Sequence, residues 1–263
     1  MHQAEPDWTK LRACVDKWLD EAYAQVQRAQ PRMTEEQTHV AFAASFCLLS
    51  CYDYMASAFD AFEKGRFYAG LACCRPVAET AITFLWCVTA GADHRDRFER
   101  WMKTTLKEYE RFLSGLSNTF AFRRGSRGLS GSLDKTREML DKLQHRKELP
   151  RLRQMLESLD RWLPGELKAS DLYPMLYQYL CGSAHAGFMP ERYFRVEGDV
   201  VERVERLSMP GITPWVALTS AFYMAVSVLM YFRWDYAAIK AEYQEVLKEL
   251  AGKEGQIPQC EDR

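Results

Sequence analysis

Residues 67–88 read FYAGLACCRPVAETAITFLWCV. The stretch carries two charges, Arg75 and Glu79, and one proline, Pro76. Its apolar spacing predicts a helix from about Arg66 to Ala90, with Gly91 as the stop. A helix apolar on nearly every side is one buried inside a bundle. Arg75 and Glu79 are four residues apart and therefore share a face. A charge in such surroundings is costly unless paired, so the two are expected to pair with each other or with a third group. Pro76 removes an amide donor in mid-helix and predicts a kink that frees a carbonyl.

The neighbouring segments repeat the helical period. Trp8, Leu11, Val15, Trp18, Ala22 and Val26 form one stripe, closed by Pro31. Thr34, with Gln37 three residues on, reads as a capping box opening a helix that runs to about Phe62 and stops at Gly65. Asp93 can cap a following helix over 93–121, whose stripe is Phe98, Trp101, Thr105, Tyr109, Phe112, Leu116 and Phe120. RRGSRGLSGS at 123–132 reads as a flexible basic loop, set against solvated linker and phosphate contact as its two uses. Helices over about 133–147 and 149–163 follow, with Pro150 in the first turn of the second. A further helix runs from Ser170-Asp171 to about Phe188, then an irregular stretch with a short strand or turn near Phe194–Glu197. A long last helix spans about 213–250. Its core, Trp215 to Phe232, is free of charge and at the lower limit for a membrane span, but is read as a buried bundle helix with no membrane contact. The fold class is all-α, a bundle of seven or eight helices. Residues 1–251 form a single domain with a subsidiary helical lobe at about 123–163, and 252–263 a disordered tail.

The net charge of −1 excludes polyanion binding by bulk charge. The distribution is uneven: residues 93–161 hold 17 Lys/Arg against 11 Asp/Glu, and residues 162–263 hold 10 against 14. That permits an anionic partner for the middle segment, against the plainer reading of a surface laced with ion pairs. The opening MHQAEPDW has no apolar signal segment. None of the eight cysteines forms a CxxC pair and most lie in apolar helical patterns, which fits a reducing cytoplasm. No residues stand at zinc spacing, so no metal and no cofactor are expected.

A second polar stretch is QYLCGSAHAGF at 178–188. Cys181 and His185 are four apart on one face, among Gly182, Ser183, Ala184, Ala186 and Gly187. Glycine in a helix costs roughly 1 kcal/mol relative to alanine, so two in six residues imply a close approach by another helix or by a ligand. Tyr177, Tyr179 and Arg192 complete the candidate pocket. A Cys181–His185 nucleophilic dyad is disfavoured, because adjacent turns of one helix orient the pair poorly and no third group is given. No phosphate-loop, dinucleotide, zincin or nucleophile-elbow motif occurs.

Arg75-Pro76-Val77-Ala78-Glu79, followed about a hundred residues later by Cys181-Gly182-Ser183-Ala184-His185, resembles the RPxxE … (Ser/Cys)xxxH pattern of a group of uncharacterised bacterial helical proteins. The resemblance covers roughly residues 40–235. Cysteine stands here where serine is usual. The group is reminiscent of HEPN domains, helical and often dimeric ribonucleases of defence and toxin systems. Their Arg-to-His spacing of four to six residues precedes none of the five histidines, so their catalytic residues are not carried over.

Three functions follow. The first is a cytoplasmic binding or regulatory module, of a stress or phage-defence system, for an anionic ligand or RNA. Arg75 faces the anion, Glu79 orients His185, and Tyr179, Cys181, Ser183 and Arg192 line the pocket. The second is a metal-independent, HEPN-like ribonuclease or phosphodiesterase, with His185 as acid–base group and Arg75 stabilising the phosphorane. The third is a structural homo-oligomer, such as a homodimer, in which the small residues at 182–187 are a helix-packing seam. Against all three stands a purely architectural His185, bonded to Glu79 or a backbone carbonyl.

Overall fold

In the computed structural model the described residues are 6–29, 33–117, 127–160, 180, 194–197, 200–203 and 212–254. Among them are eight α-helices: α1 (Trp8–Ala29), α2 (Glu35–Glu63), α3 (Phe67–Val88), α4 (His94–Ser117), α5 (Arg127–Leu143), α6 (Leu152–Leu159), α7 (Ile212–Tyr231) and α8 (Ala237–Glu254). The all-α bundle is as the periodicity predicts.

The stripe of α1 is the inner face. Val15, Trp18, Ala22 and Val26 are fully buried against α2 and α7. Burying each large apolar side chain contributes about 1.5–3 kcal/mol. Trp8 begins α1 at the end of the bundle where α2 turns into α3. Its ring stacks on Phe62 at 4.7 Å and lies 6.1 Å from Phe67. The turn itself is a Schellman motif: Gly65 N–H donates to Phe62 O, Arg66 N–H donates to Ala61 O, and Gly65 takes φ 68°. At the other end of α2 the capping box forms as read. Gln37 N–H donates to Thr34 Oγ1 at 3.3 Å, and Thr34 N–H donates to Gln37 Oε1 at 3.0 Å.

α3 is the central element, packed between α2 and α7 with α4 and α6 beside it. It runs unbroken through Pro76. Among the described residues three segments are long and apolar enough to cross a membrane: Val40–Glu63, Phe67–Val88 and Thr213–Tyr231. Their apolar windows are buried within the bundle to 44%, 61% and 83%, so α7 is an enclosed core helix and α2 the least covered.

Four sequence expectations give way. The segment 127–132, read as loop, is the start of α5, whose packing along α4 outweighs the weak helix propensity of Gly and Ser. α6 is shorter than expected, and Arg151, not Pro150, precedes its first residue. The last helix is two: α7 ends at Tyr231, and α8 begins at Ala237, whose N–H is held by Asp235 Oδ1 at 2.8 Å. α8 continues to Glu254, past the expected start of the tail at 252. The strand near 194–197 exists and has a partner that was not foreseen: β1 (Phe194–Glu197) pairs antiparallel with β2 (Val200–Arg203), Phe194 opposite Arg203.

The α4 stripe divides. Phe98 and Trp101 pack on the core, Phe84 edge-on at 5.5 and 6.4 Å, whereas Tyr109 and Phe112 are exposed. α5 and the chain at 144–148 instead cover the opposite flank of α4. There buried Lys103 donates to the carbonyls of Gln144 and Arg146.

Candidate functional site

Arg75 and Glu79 lie two to three turns into α3. Arg75 Nε donates to Glu79 Oε1 at 2.8 Å, so the pair forms as its spacing predicts. It is not sealed in the core: the two side chains keep 25% and 37% of their exposure. The same face continues through Ile82 and Trp86, both buried under Met155, Leu156 and Leu159 of α6. One helical face is thus apolar and covered at one end, charged and partly open at the other. Buried Thr83 donates its hydroxyl to Glu79 O at 2.8 Å, anchoring the backbone beneath the carboxylate. An ion pair at this exposure contributes little to stability. Its chemical content is a guanidinium held in a fixed place by a carboxylate and reachable from solvent.

His185, Cys181, Tyr179, Ser183 and Arg192, with Tyr177, lie outside the described residues. Of that segment Leu180 is described, and it is fully buried in the main core with α1, α2, α3 and α7. The basic loop residues Arg123 and Arg124 also fall outside.

The basic surplus of 93–161 is largely engaged where it is described. Arg146 bridges Asp96 at 3.1 Å and also pairs with Glu99, and Arg137 pairs with Glu110 at 2.9 Å. Lys107 pairs with Glu148. Arg97 and Arg100 stand over the Trp86 ring at 4.3 and 5.4 Å, and Arg97 donates to Trp86 O. Burial pushes the Arg97 guanidinium down from its ordinary value. Of the two readings of this charge, the ion-paired surface describes these residues.

The six described cysteines are free thiols. Burial pushes Cys47 up to about 12, and raises Cys51, Cys74 and Cys87 further. Cys73, at the edge of α3, is half-buried and raised by the same cause. Among the described residues no cluster of three or more metal-ligating side chains occurs.

A cavity of about 360 Å³ was not foreseen. It lies at the far end of α1 from Trp8, between Arg28 of α1, Met33 and Gln37 at the start of α2, and Phe232 and Trp234 after α7. The two aromatic rings stack at 4.6 Å. Reading 213–250 as one continuous helix hid it. Asp235, a cap residue just after Phe232-Arg233-Trp234, was the available signal.

No curated protein and no solved structure matches the chain. A family model does, over residues 41–200, from within α2 to the first residue of β2, and it includes both the Arg75–Glu79 and the Cys181–His185 stretches. The chain therefore belongs to the family of unknown function DUF5677.

Proposed function

We propose that the chain is a binding module of the cytoplasm that holds an anionic ligand on the partly open face of α3. Arg75 is the anion-facing cation, Glu79 fixes its direction and orients His185, and Tyr179, Cys181, Ser183 and Arg192 supply the remaining walls. One observation carries this reading: a charged pair is retained on an otherwise apolar central helix, yet stays 25% and 37% exposed. A pair kept for architecture alone has no need of solvent access. A cytoplasmic setting is supported by the six free thiols, since oxidising compartments convert cysteines to disulfides.

The test is binding of inorganic phosphate and of labelled single-stranded RNA to the full chain, with Arg75→Ala, Glu79→Gln and His185→Ala beside it. The expected result is saturable binding of one probe, weakened about tenfold or more in Arg75→Ala and His185→Ala, at unchanged helicity. Equal binding by the parent and Arg75→Ala sinks the proposal. RNA cleavage that disappears in His185→Ala would replace it with the ribonuclease reading. Absence of both, with a dimer that dissociates in Gly182→Leu, would leave the structural homodimer.

A further inference from the structure

α2 presents an apolar face that none of the described elements covers. Phe42, Phe46, Leu49 and Tyr52 are 75%, 65%, 50% and 37% exposed. They recur at intervals of four, three and three along one side of the helix, where neighbouring turns bring them into one stripe. We propose that this face docks a second copy of the chain, α2 against α2 in antiparallel array, about a two-fold axis between Ser45 and Phe46.

The size of the patch calls for an occupant. With ~150–250 Å² for a fully exposed aromatic side chain, the four offer on the order of 400 Å². That reaches the level at which contiguous apolar surface marks an association site, and is about half of the ~800 Å² each partner gives to a standard interface. Thr38, Ser45, Asp53 and Ala56 flank the stripe and supply the rim.

The charge on α2 selects among occupants. From Glu35 to Glu63 the helix has no lysine or arginine; Asp53 stands on the exposed side, and Asp60 is paired with Arg12 of α1 at 2.7 Å. Along the stripe from Phe42 to Tyr52 a nucleic acid backbone or an anionic lipid surface finds no lysine or arginine of α2. A second copy fits, because the stripe is complementary to itself. The two-fold sets Phe42 against Leu49 of the partner subunit. Small Ser45 lies at the crossing, where the helix axes must come closest. Asp53 falls opposite Thr38 of the partner subunit, so no carboxylate directly faces another. A two-fold contact of this kind closes on itself and yields a dimer.

This interface is separate from the Arg75–Glu79 face of α3, so the outcome of its test does not depend on ligand binding. Sedimentation equilibrium of the full chain across the micromolar range should give twice the 30.6 kDa chain mass. Phe46→Glu and Phe46→Lys should each weaken the dimer at least about 100-fold, and mixing the two should restore a heterodimer, because position 46 meets its own copy beside the axis. Position 46 being exposed, both variants should keep the helicity of the parent by circular dichroism. A parent that remains monomeric overturns the proposal, as does a dimer indifferent to both substitutions. Co-sedimentation with phosphatidylcholine vesicles that Phe46→Glu abolishes would give the face to lipid and overturn it as well.

Discussion

At the scale of single residues, Gly70 and Phe62 show how closely α2 and α3 approach. A Cβ built on Gly70 would stand 2.2 Å from Phe62 Cε1, and the Phe62 ring is fixed by stacking on Trp8 and burial to 1%. Gly70→Ala gains roughly 1 kcal/mol of helix propensity. Overpacking costs about 1–3 kcal/mol, and the rigid ring has nowhere to move. Gly70→Ala is therefore expected to lower stability in urea unfolding by up to about 2 kcal/mol net; an increase would show that the ring yields. The sequence marked the Arg75–Glu79 pair by its spacing, since four residues fix a shared face in any α-helix. It did not mark the exposure of the pair, because exposure depends on where α6 stops covering that face.

The joint between α7 and α8 belongs to the scale of elements. Arg233 sits at φ 58°, where glycine is the usual residue, with its N–H donating to Met230 O and Trp234 N–H donating to Leu229 O. The side chain there is strained by about 1 kcal/mol. Arg233→Gly should raise stability by roughly 0.5–1 kcal/mol in thermal or urea unfolding, and a loss would mean that the exposed arginine has a partner of its own. Docking of α8 onto α1 turns on Glu242. Its carboxylate accepts from Trp18 Nε1 at 2.9 Å and from Lys17 Nζ at 3.0 Å, while Tyr243 beside it stacks on Phe222 at 4.0 Å and bonds Thr219 at 2.9 Å. Glu242→Ala leaves the indole N–H of fully buried Trp18 without an acceptor, an expected cost of about 1–3 kcal/mol. Glu242→Gln keeps an acceptor and should lose distinctly less; equal losses would assign the effect to charge pairing with Lys17 alone. The sequence concealed this joint because the apolar period of α7 continues through Phe232, and only hydrogen bonding distinguishes a helix from a turn that happens to keep its phase.

At the scale of the molecule, four thiols report on the integrity of the bundle. Cys47, Cys51, Cys74 and Cys87 are buried in α2 and α3, with pKa values raised by burial, so little thiolate exists and reagent has no path to it. Among the six described thiols, iodoacetamide at mildly alkaline pH should label Cys73 first, and label Cys74 only as fast as the whole bundle opens in rising urea. Labelling of Cys74 ahead of global unfolding would reveal α3 as a locally opening element. The periodicity of the chain determined by itself that the fold is helical, which face of α1 is inward and where α2 begins and stops. Those features depend on spacing, on a capping residue and on a glycine, all local in sequence. The tertiary structure alone decided that 127–132 is helix, that Tyr109 and Phe112 face outward and that α2 keeps an uncovered apolar side. It also decided that the charged pair of α3 stands partly in solvent. Each of those depends on which neighbour arrives to bury a surface, and burial is a property of assembled helices, not of any one of them.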